Sequence, residues 1–392
     1  MSIARRMTDI APFHVMELMA RAKALEARGR DIVHMEVGEP DFPTPQPVIE
    51  AAQRFIASGQ VGYTHALGLP QLREAIARFY QERYGVTVAP ERIVVTAGAS
   101  GALLLALGVL IDRDDEVLLA DPGYPCNRHF VRALEGRAVP IPVDAGTAYQ
   151  PTAEQVAAHW SPRTRAVLVA TPANPTGTLI ALPQLAALRD VIRARGGSLL
   201  VDEIYHGLTY GCDAETALAL GDDIFVINSF SKYFGMTGWR LGWLVAPPRY
   251  VREIEKLAQN LFISPSAPAQ YAALAAFRPE TLEIMEARRV EFGHRRDTLL
   301  PGLRALGFEI KTEPRGAFYV YADSSRLADD SFGLAERLVD EAGVAATPGL
   351  DFGSFGPQQH MRFAYTVARE RIEEGLMRMA RFFRARQQGG PR

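Results

Sequence analysis

Between residues 90 and 246, short apolar runs alternate with helix-forming segments, and this repeat limits the fold more than any other feature of the chain. The runs at 93–96, 116–120, 139–143, 165–170, 198–201, 224–227 and 241–246 read as strands. Most are apolar at successive positions, so neither face of the sheet can be wet. The stretches at 102–109, 152–159 and 182–195 have helical composition, the last of them closed by Gly196 and Gly197. Doubly buried strands separated by helices predict an α/β fold with a mostly parallel sheet covered on both faces.

The flanks read differently. Residues 12–29 carry apolar positions at helical spacing and stop at Gly29; 32–37 reads as a short strand. Three prolines between Pro40 and Pro45 then forbid regular structure and mark a boundary. Helices are expected at 47–58, 71–84, 250–258, 267–277 and 282–300. Past Pro301 the expected elements are strands at 308–310 and 317–321, a helix at 333–342, strands at 344–346 and 361–365, a helix at 369–384 and a frayed tail at 387–392. The expected division is an N-terminal arm and part of a small domain at 1–45, a large domain at 46–290, and a C-terminal small domain at 291–392.

Charge is balanced, 43 basic against 45 acidic residues, which gives no ground for nucleic-acid or membrane-surface binding. Cys126 and Cys212 are too few for a disulfide framework and lack metal-ligand spacing, so no metal is expected. The longest apolar run, 101–111, is well short of the ~20 residues of a membrane helix. Asp9, Pro12 and His14 interrupt any leader-like segment, and a cytoplasmic protein is the expectation.

Chemistry concentrates at 229–242, Ser-Phe-Ser-Lys-Tyr-Phe-Gly-Met-Thr-Gly-Trp-Arg-Leu-Gly. Lys232 lies between two buried runs and must be solvated, paired or chemically employed. Ser229 and Arg240 could meet one small anion beside its amine. A second half of that anion site is expected where the strand at 93–96 passes through small residues into a helix, with amides from Ala99 and Ser100. Tyr124 sits at the C-terminal end of its strand, the ligand-binding edge of such sheets, as a ring to stack on a planar ligand or as a tyrosine packed in a turn. Asn174 stands between Pro172 and Pro175 on rigid backbone. Asp202 directly follows a buried strand and needs a cation or donor, or else caps a helix. Arg362, mid-strand among apolar residues, either snorkels outward or grips a carboxylate.

These motifs, in order from Gly38 to Arg362, resemble the class I/II aminotransferase family of pyridoxal-phosphate enzymes, of the aspartate aminotransferase type. The resemblance implies fold type I: a large domain around a mostly parallel seven-stranded sheet flanked by helices, plus a small α+β domain from both termini. It implies pyridoxal 5'-phosphate as cofactor, with Lys232 condensing with its aldehyde, Ser229, Arg240, Ala99 and Ser100 on its phosphate, Asp202 on its ring nitrogen, Tyr205 and Asn174 on its phenolate oxygen, and Tyr124 on its ring. Lys232, Asp202 and Tyr205 are the implied catalytic residues; Gly38, Asn174 and Arg362 would hold the substrate carboxylate. The family is dimeric with shared active sites, and a tyrosine at the position of Tyr63 reaches the neighbouring subunit's phosphate; a tyrosine packed in a loop is the other reading. The implied substrates are an L-amino acid and a 2-oxo acid such as 2-oxoglutarate. Where dicarboxylate-specific relatives carry a second cation, this chain has Ser100 and Ser264, which favours a neutral or aromatic donor. Aspartate specificity and C–S lyase chemistry stay open alternatives.

Overall fold

The structure, a computed structural model, describes residues 3–388. A two-residue strand, β1 (Val33–His34), precedes the main sheet. That sheet comprises β2 (Ile93–Thr96), β3 (Glu116–Asp121), β4 (Arg137–Pro142), β5 (Thr164–Ala170), β6 (Ser198–Asp202), β7 (Phe225–Ser229) and β8 (Gly242–Val245). Its order is β2-β8-β7-β6-β5-β3-β4, as expected for a mostly parallel seven-stranded sheet. Only β8 runs against its neighbours. The central strands are buried throughout, whereas β4, at the edge, carries Pro140 and Pro142 and is partly exposed. Because β3, β5, β6 and β7 are parallel, the residues that follow them all emerge along one edge.

The remaining strands are β9 (Tyr319–Asp323), β10 (Val344–Ala345), β11 (Thr347–Pro348) and β12 (His360–Ala364). β11, β12 and β9 form an antiparallel sheet, while β1 pairs in parallel with β10. Thus the N-terminal segment joins the C-terminal third in one small α+β lobe. Among the described residues no helix is long and apolar enough to cross a membrane.

Several elements differ from their sequence reading. The small-residue turn at 97–101 is already helical, since the helix spans Gly98–Gly108, and Ala99 and Ser100 lie in its first turn. Helix Pro125–Ala133 was not expected; its polar Asn127, Arg128 and His129 hide the periodicity, and Pro125 at its first turn is the signal. Helix Pro279–Ala305 runs past Pro301, because only the bond to Asp297 is lost there and Leu303 remains buried. The strand read at 308–310 reduces to a single bridge, Glu309 to Asp323, and that at 32–37 pairs as a strand only over Val33–His34. The last helix continues to Gln388; the rest of the expected frayed tail, 389–392, lies outside the described residues.

His34 ties the small lobe together. Its ring nitrogens meet Glu36 Oε1 at 2.7 Å and Glu26 Oε1 at 3.1 Å, linking β1 to the end of helix His14–Glu26. The Glu36 hydrogen bond, with help from Glu26, outweighs burial and raises the imidazole pKa to about 9. A folded value above the ordinary 6.5 means that the contribution is complete below about pH 6.5 and is lost as pH rises through about 9. Thermal unfolding of wild type and His34→Gln should therefore differ by on the order of 1 °C at pH 6, the imidazole being partly screened by solvent although Glu36 is buried, and converge above pH 9. A difference that does not change with pH would contradict this linkage.

Candidate functional site

The edge residues line a cavity of about 280 Å³ between the two lobes. Lys232 enters it from the loop joining β7 to β8. Phe230 and Phe234 on that loop are buried, tilted against each other and packed edge-on against Trp243 and Phe277, which pins the loop from below. Above, the Phe230 amide donates to Leu241 O and the Thr237 hydroxyl to Ser231 O. A lysine on so constrained a loop has few places to go. Its Nζ donates to Gly38 O at 2.7 Å, and burial lowers its pKa to about 8 against the opposing pull of Glu39.

Asp202 ends β6 and lines the same cavity. Burial raises its carboxyl to about pKa 6, although the Ile204 amide donates to it at 3.0 Å. This carboxylate has room for a further donor or cation from the cavity. At the opposite side, Arg240, held at φ 53°, meets the start of helix Gly98–Gly108. Gly98 has φ 69°, a conformation that favours glycine, and a Cβ there would crowd the Arg240 guanidinium at 2.8 Å. Ala99, Ser100, Ser229 and Ser231 complete this end, the two hydroxyls of Ser229 and Ser231 being 3.0 Å apart. A guanidinium, hydroxyls and a helix N-terminus together form an anion cradle.

Arg362 is buried on β12 and occupies the small-lobe wall. It donates to Asn174 Oδ1 at 2.9 Å, to Glu36 O at 2.5 Å and to the Thr347 hydroxyl at 3.3 Å. Among the described residues its Nε has no partner, and its guanidinium is sandwiched between Tyr319 at 4.3 Å and Phe352 at 4.9 Å. The cavity thus brings together Gly38, Ala99, Ser100, Tyr124, Asn174, Asp202, Tyr205, Ser229, Lys232, Arg240 and Arg362 of the expected set. It does not include Tyr63, which is 84% exposed, or Ser264, whose hydroxyl accepts from the Thr64 amide.

Tyr319 was not anticipated. Its hydroxyl lies 2.9 Å from that of Tyr205 and fills the space where a Cβ of Gly38 would fall, at 1.8 Å. The sequence signal for it was no more than its place in an alternating strand, 317–321. Tyr205 is consequently fixed by a second tyrosine as well as by its own turn.

An amine, the buried carboxylate of Asp202 and an anion cradle around one cavity suit a ligand that offers a carbonyl, a protonated ring nitrogen and a phosphate. Together with the topology of the sheet, they define the class: a pyridoxal-phosphate-dependent transferase of fold type I. The chain belongs to the aminotransferase class I and II family, which it matches over residues 30–379, and whose enzymes use pyridoxal 5'-phosphate. It is 41% identical to the valine–pyruvate aminotransferase of Mycobacterium tuberculosis, over 94% of this chain and 96% of that one. A crystal structure of an aminotransferase from Mycobacterium tuberculosis superposes with a TM-score of 0.95 at 39% identity, covering 98% of this chain and all of the other. The aspartate aminotransferase from Thermus thermophilus with maleate gives a TM-score of 0.92 at 35% identity, over 97% and 99% of the two chains. The protein is an aminotransferase that uses pyridoxal phosphate and acts on amino and oxo acids.

Proposed function

We propose that the enzyme moves the amino group of a neutral or aromatic L-amino acid to a 2-oxo acid such as 2-oxoglutarate. The observation that carries this choice is the cation inventory of the cavity. Among the described residues lining it, the basic ones are Lys232, Arg240 and Arg362. One amine, one partner for a phosphate and one for an α-carboxylate leave no cation for a second substrate carboxylate. The rest of the wall adds Val15, Met16, Leu103 and the acidic Glu39, which repels a dicarboxylate. The relative with 41% identity bears the name valine–pyruvate aminotransferase, which agrees with a neutral donor.

In this reading Arg240, Ser229, Ala99 and Ser100 hold the cofactor phosphate, Asp202 its ring nitrogen, Tyr205 and Asn174 its phenolate oxygen, and Tyr124 its ring face. Bound pyridoxal phosphate supplies an aldehyde for the amine and a ring that stores electrons. Arg362, sandwiched and already positioned by Asn174, takes the substrate α-carboxylate in a two-point grip, with backbone at Gly38 beside it. Lys232 Nζ removes the proton from the substrate α-carbon and returns it one position away, a role suited to an amine with pKa about 8. Tyr319 keeps the Tyr205 hydroxyl aimed into the cavity.

The same reading divides the chain into 1–45, 46–290 and 291–392. It makes the protein a homodimer in which Tyr63 serves the partner's cavity. Exposed Ile56, Val61, Tyr63, Leu261 and Ile263 support a second copy there, because solvent-facing apolar side chains of that size favour burial. A cytoplasmic location agrees with the two free cysteines.

Steady-state kinetics over a panel of L-amino acids tests the donor class. Valine, leucine or phenylalanine should exceed aspartate in kcat/KM by at least about tenfold, the cost of one unpaired substrate carboxylate. A preference for aspartate of that size would overturn the proposal.

A further inference from the structure

The carboxylate-gripping wall is not self-supporting. Phe352, one face of the Arg362 sandwich, belongs to an irregular strap that leaves the short turn Gly349–Asp351 and crosses back to the large sheet. What holds the strap is Asp121, the last residue of β3, on the other lobe. Its carboxylate accepts from the Ser354 amide at 3.1 and 2.9 Å, from the Ser354 hydroxyl at 2.8 Å and from the Phe355 amide at 3.3 Å. The Gly123 amide adds a bond to Phe352 O at 2.8 Å. Asp121 is buried, so these donors are its replacement for water. The approach is so close that a Cβ on Gly353 would fall 1.7 Å from Asp121 Oδ1, and only glycine fits the strap at that point.

The strap carries a second linkage. Asp351 accepts from the His14 and Val15 amides at 2.9 and 2.8 Å, fixing the start of the helix whose Val15 and Met16 line the cavity. Arg128, on the helix after β3, donates to Asp351 O at 3.0 Å. One segment therefore connects the large sheet, the first turn of the N-terminal helix and the aromatic face under Arg362.

We propose that Asp121 is a positioning residue for substrate carboxylate recognition, acting through the strap 351–355 on Phe352 and hence on Arg362. The proposal rests on the reading of Arg362 as the carboxylate ligand. Asp121 is not among the residues that line the Lys232 cavity. Removing its acceptors releases the strap, loosens Phe352 and lets the guanidinium wander, which weakens the grip on every α-carboxylate without altering the amine or the ring-binding carboxylate.

The test compares Asp121→Asn, Gly353→Ala and Arg362→Gln holoenzymes with wild type. Two readouts are taken: KM and kcat for one amino acid and one oxo acid, and the dissociation constant of 3-phenylpropanoate, a carboxylate without an amine, followed through the cofactor absorbance. Asp121→Asn, which keeps shape but turns an NH₂ toward donors, should raise both KM values and the 3-phenylpropanoate constant about tenfold, in parallel, with kcat within about twofold. Gly353→Ala should do the same from the other side of the contact. The cofactor spectrum should not change in either. If Arg362→Gln weakens 3-phenylpropanoate binding but neither strap variant does, the positioning role is refuted. Should Arg362→Gln itself have no effect, the carboxylate reading fails, and the positioning proposal falls with it. Lower kcat and an altered spectrum at constant KM would also refute it, since they place the effect at the ring rather than at the carboxylate.

Discussion

Replacing Lys232 by alanine is expected to reduce transamination at least about 10⁴-fold, the combined loss of a covalent partner and a proton carrier. The cavity contains no other amine among its described lining residues. Burial holds the Lys232 pKa at about 8, so an appreciable fraction of the amine is free base near neutrality, which neither Arg240 nor Arg362 can supply. Folding should survive, because the loop is anchored by Phe230 and Phe234 rather than by the lysine. Loss of a buried ammonium that reaches only the Gly38 carbonyl should leave the thermal midpoint level or slightly higher. Cofactor should still bind, through the anion cradle at Arg240. Borohydride reduction followed by intact-mass measurement provides the direct check: wild type gains a covalent adduct, and Lys232→Ala none. A variant retaining more than about one hundredth of wild-type turnover would show that the proton is moved by another group.

Why some of this could be read from residue order, and some not, has a physical basis. Apolar runs bounded by small residues determine local structure, so the seven strands of the main sheet were visible, and so was its mostly parallel character, though not the reversed direction of β8. Residues at the ends of those strands, Asp202 and Asn174 among them, are placed by the backbone that precedes them. Their convergence on one edge follows from topology alone. Tyr319 and the Asp121 strap are of another kind. Each acts across the cleft between lobes, on a partner 114 positions away for Tyr319 and Tyr205 and 233 for Asp121 and Ser354. No local period encodes such contacts. The glycines that permit them, Gly38 and Gly353, look like ordinary loop residues until a side chain far away in sequence occupies the place of the missing Cβ. Tyr63 shows the complementary limit: it lies outside its own cavity, and only a second copy could give it the expected partner.

Asp202→Asn should leave cofactor bound and turnover reduced on the order of 10³-fold, the scale for removing one member of a buried, hydrogen-bonded charge pair. The acid next to it cannot substitute. Glu203 is buried among Thr216 and the Ala217 amide, and burial holds its pKa near 8, so it carries its proton at neutral pH. Its neighbour at 3.3 Å, His206, is neutral as well, because burial pushes that imidazole down to about 3, so the two form no ion pair. The negative charge available to a protonated ring nitrogen is therefore that of Asp202. Burial raises this carboxyl to about pKa 6, and it must lose its proton before it can pair with a cation. The sign follows: cofactor affinity in wild type should weaken as pH falls below about 6, approaching tenfold per pH unit, and this slope should vanish in Asp202→Asn. Titration of apoenzyme with pyridoxal phosphate between pH 5 and 8, followed by protein fluorescence, separates the two enzymes. Parallel pH profiles would mean that the pairing charge lies elsewhere, and equal turnover would remove Asp202 from the catalytic set.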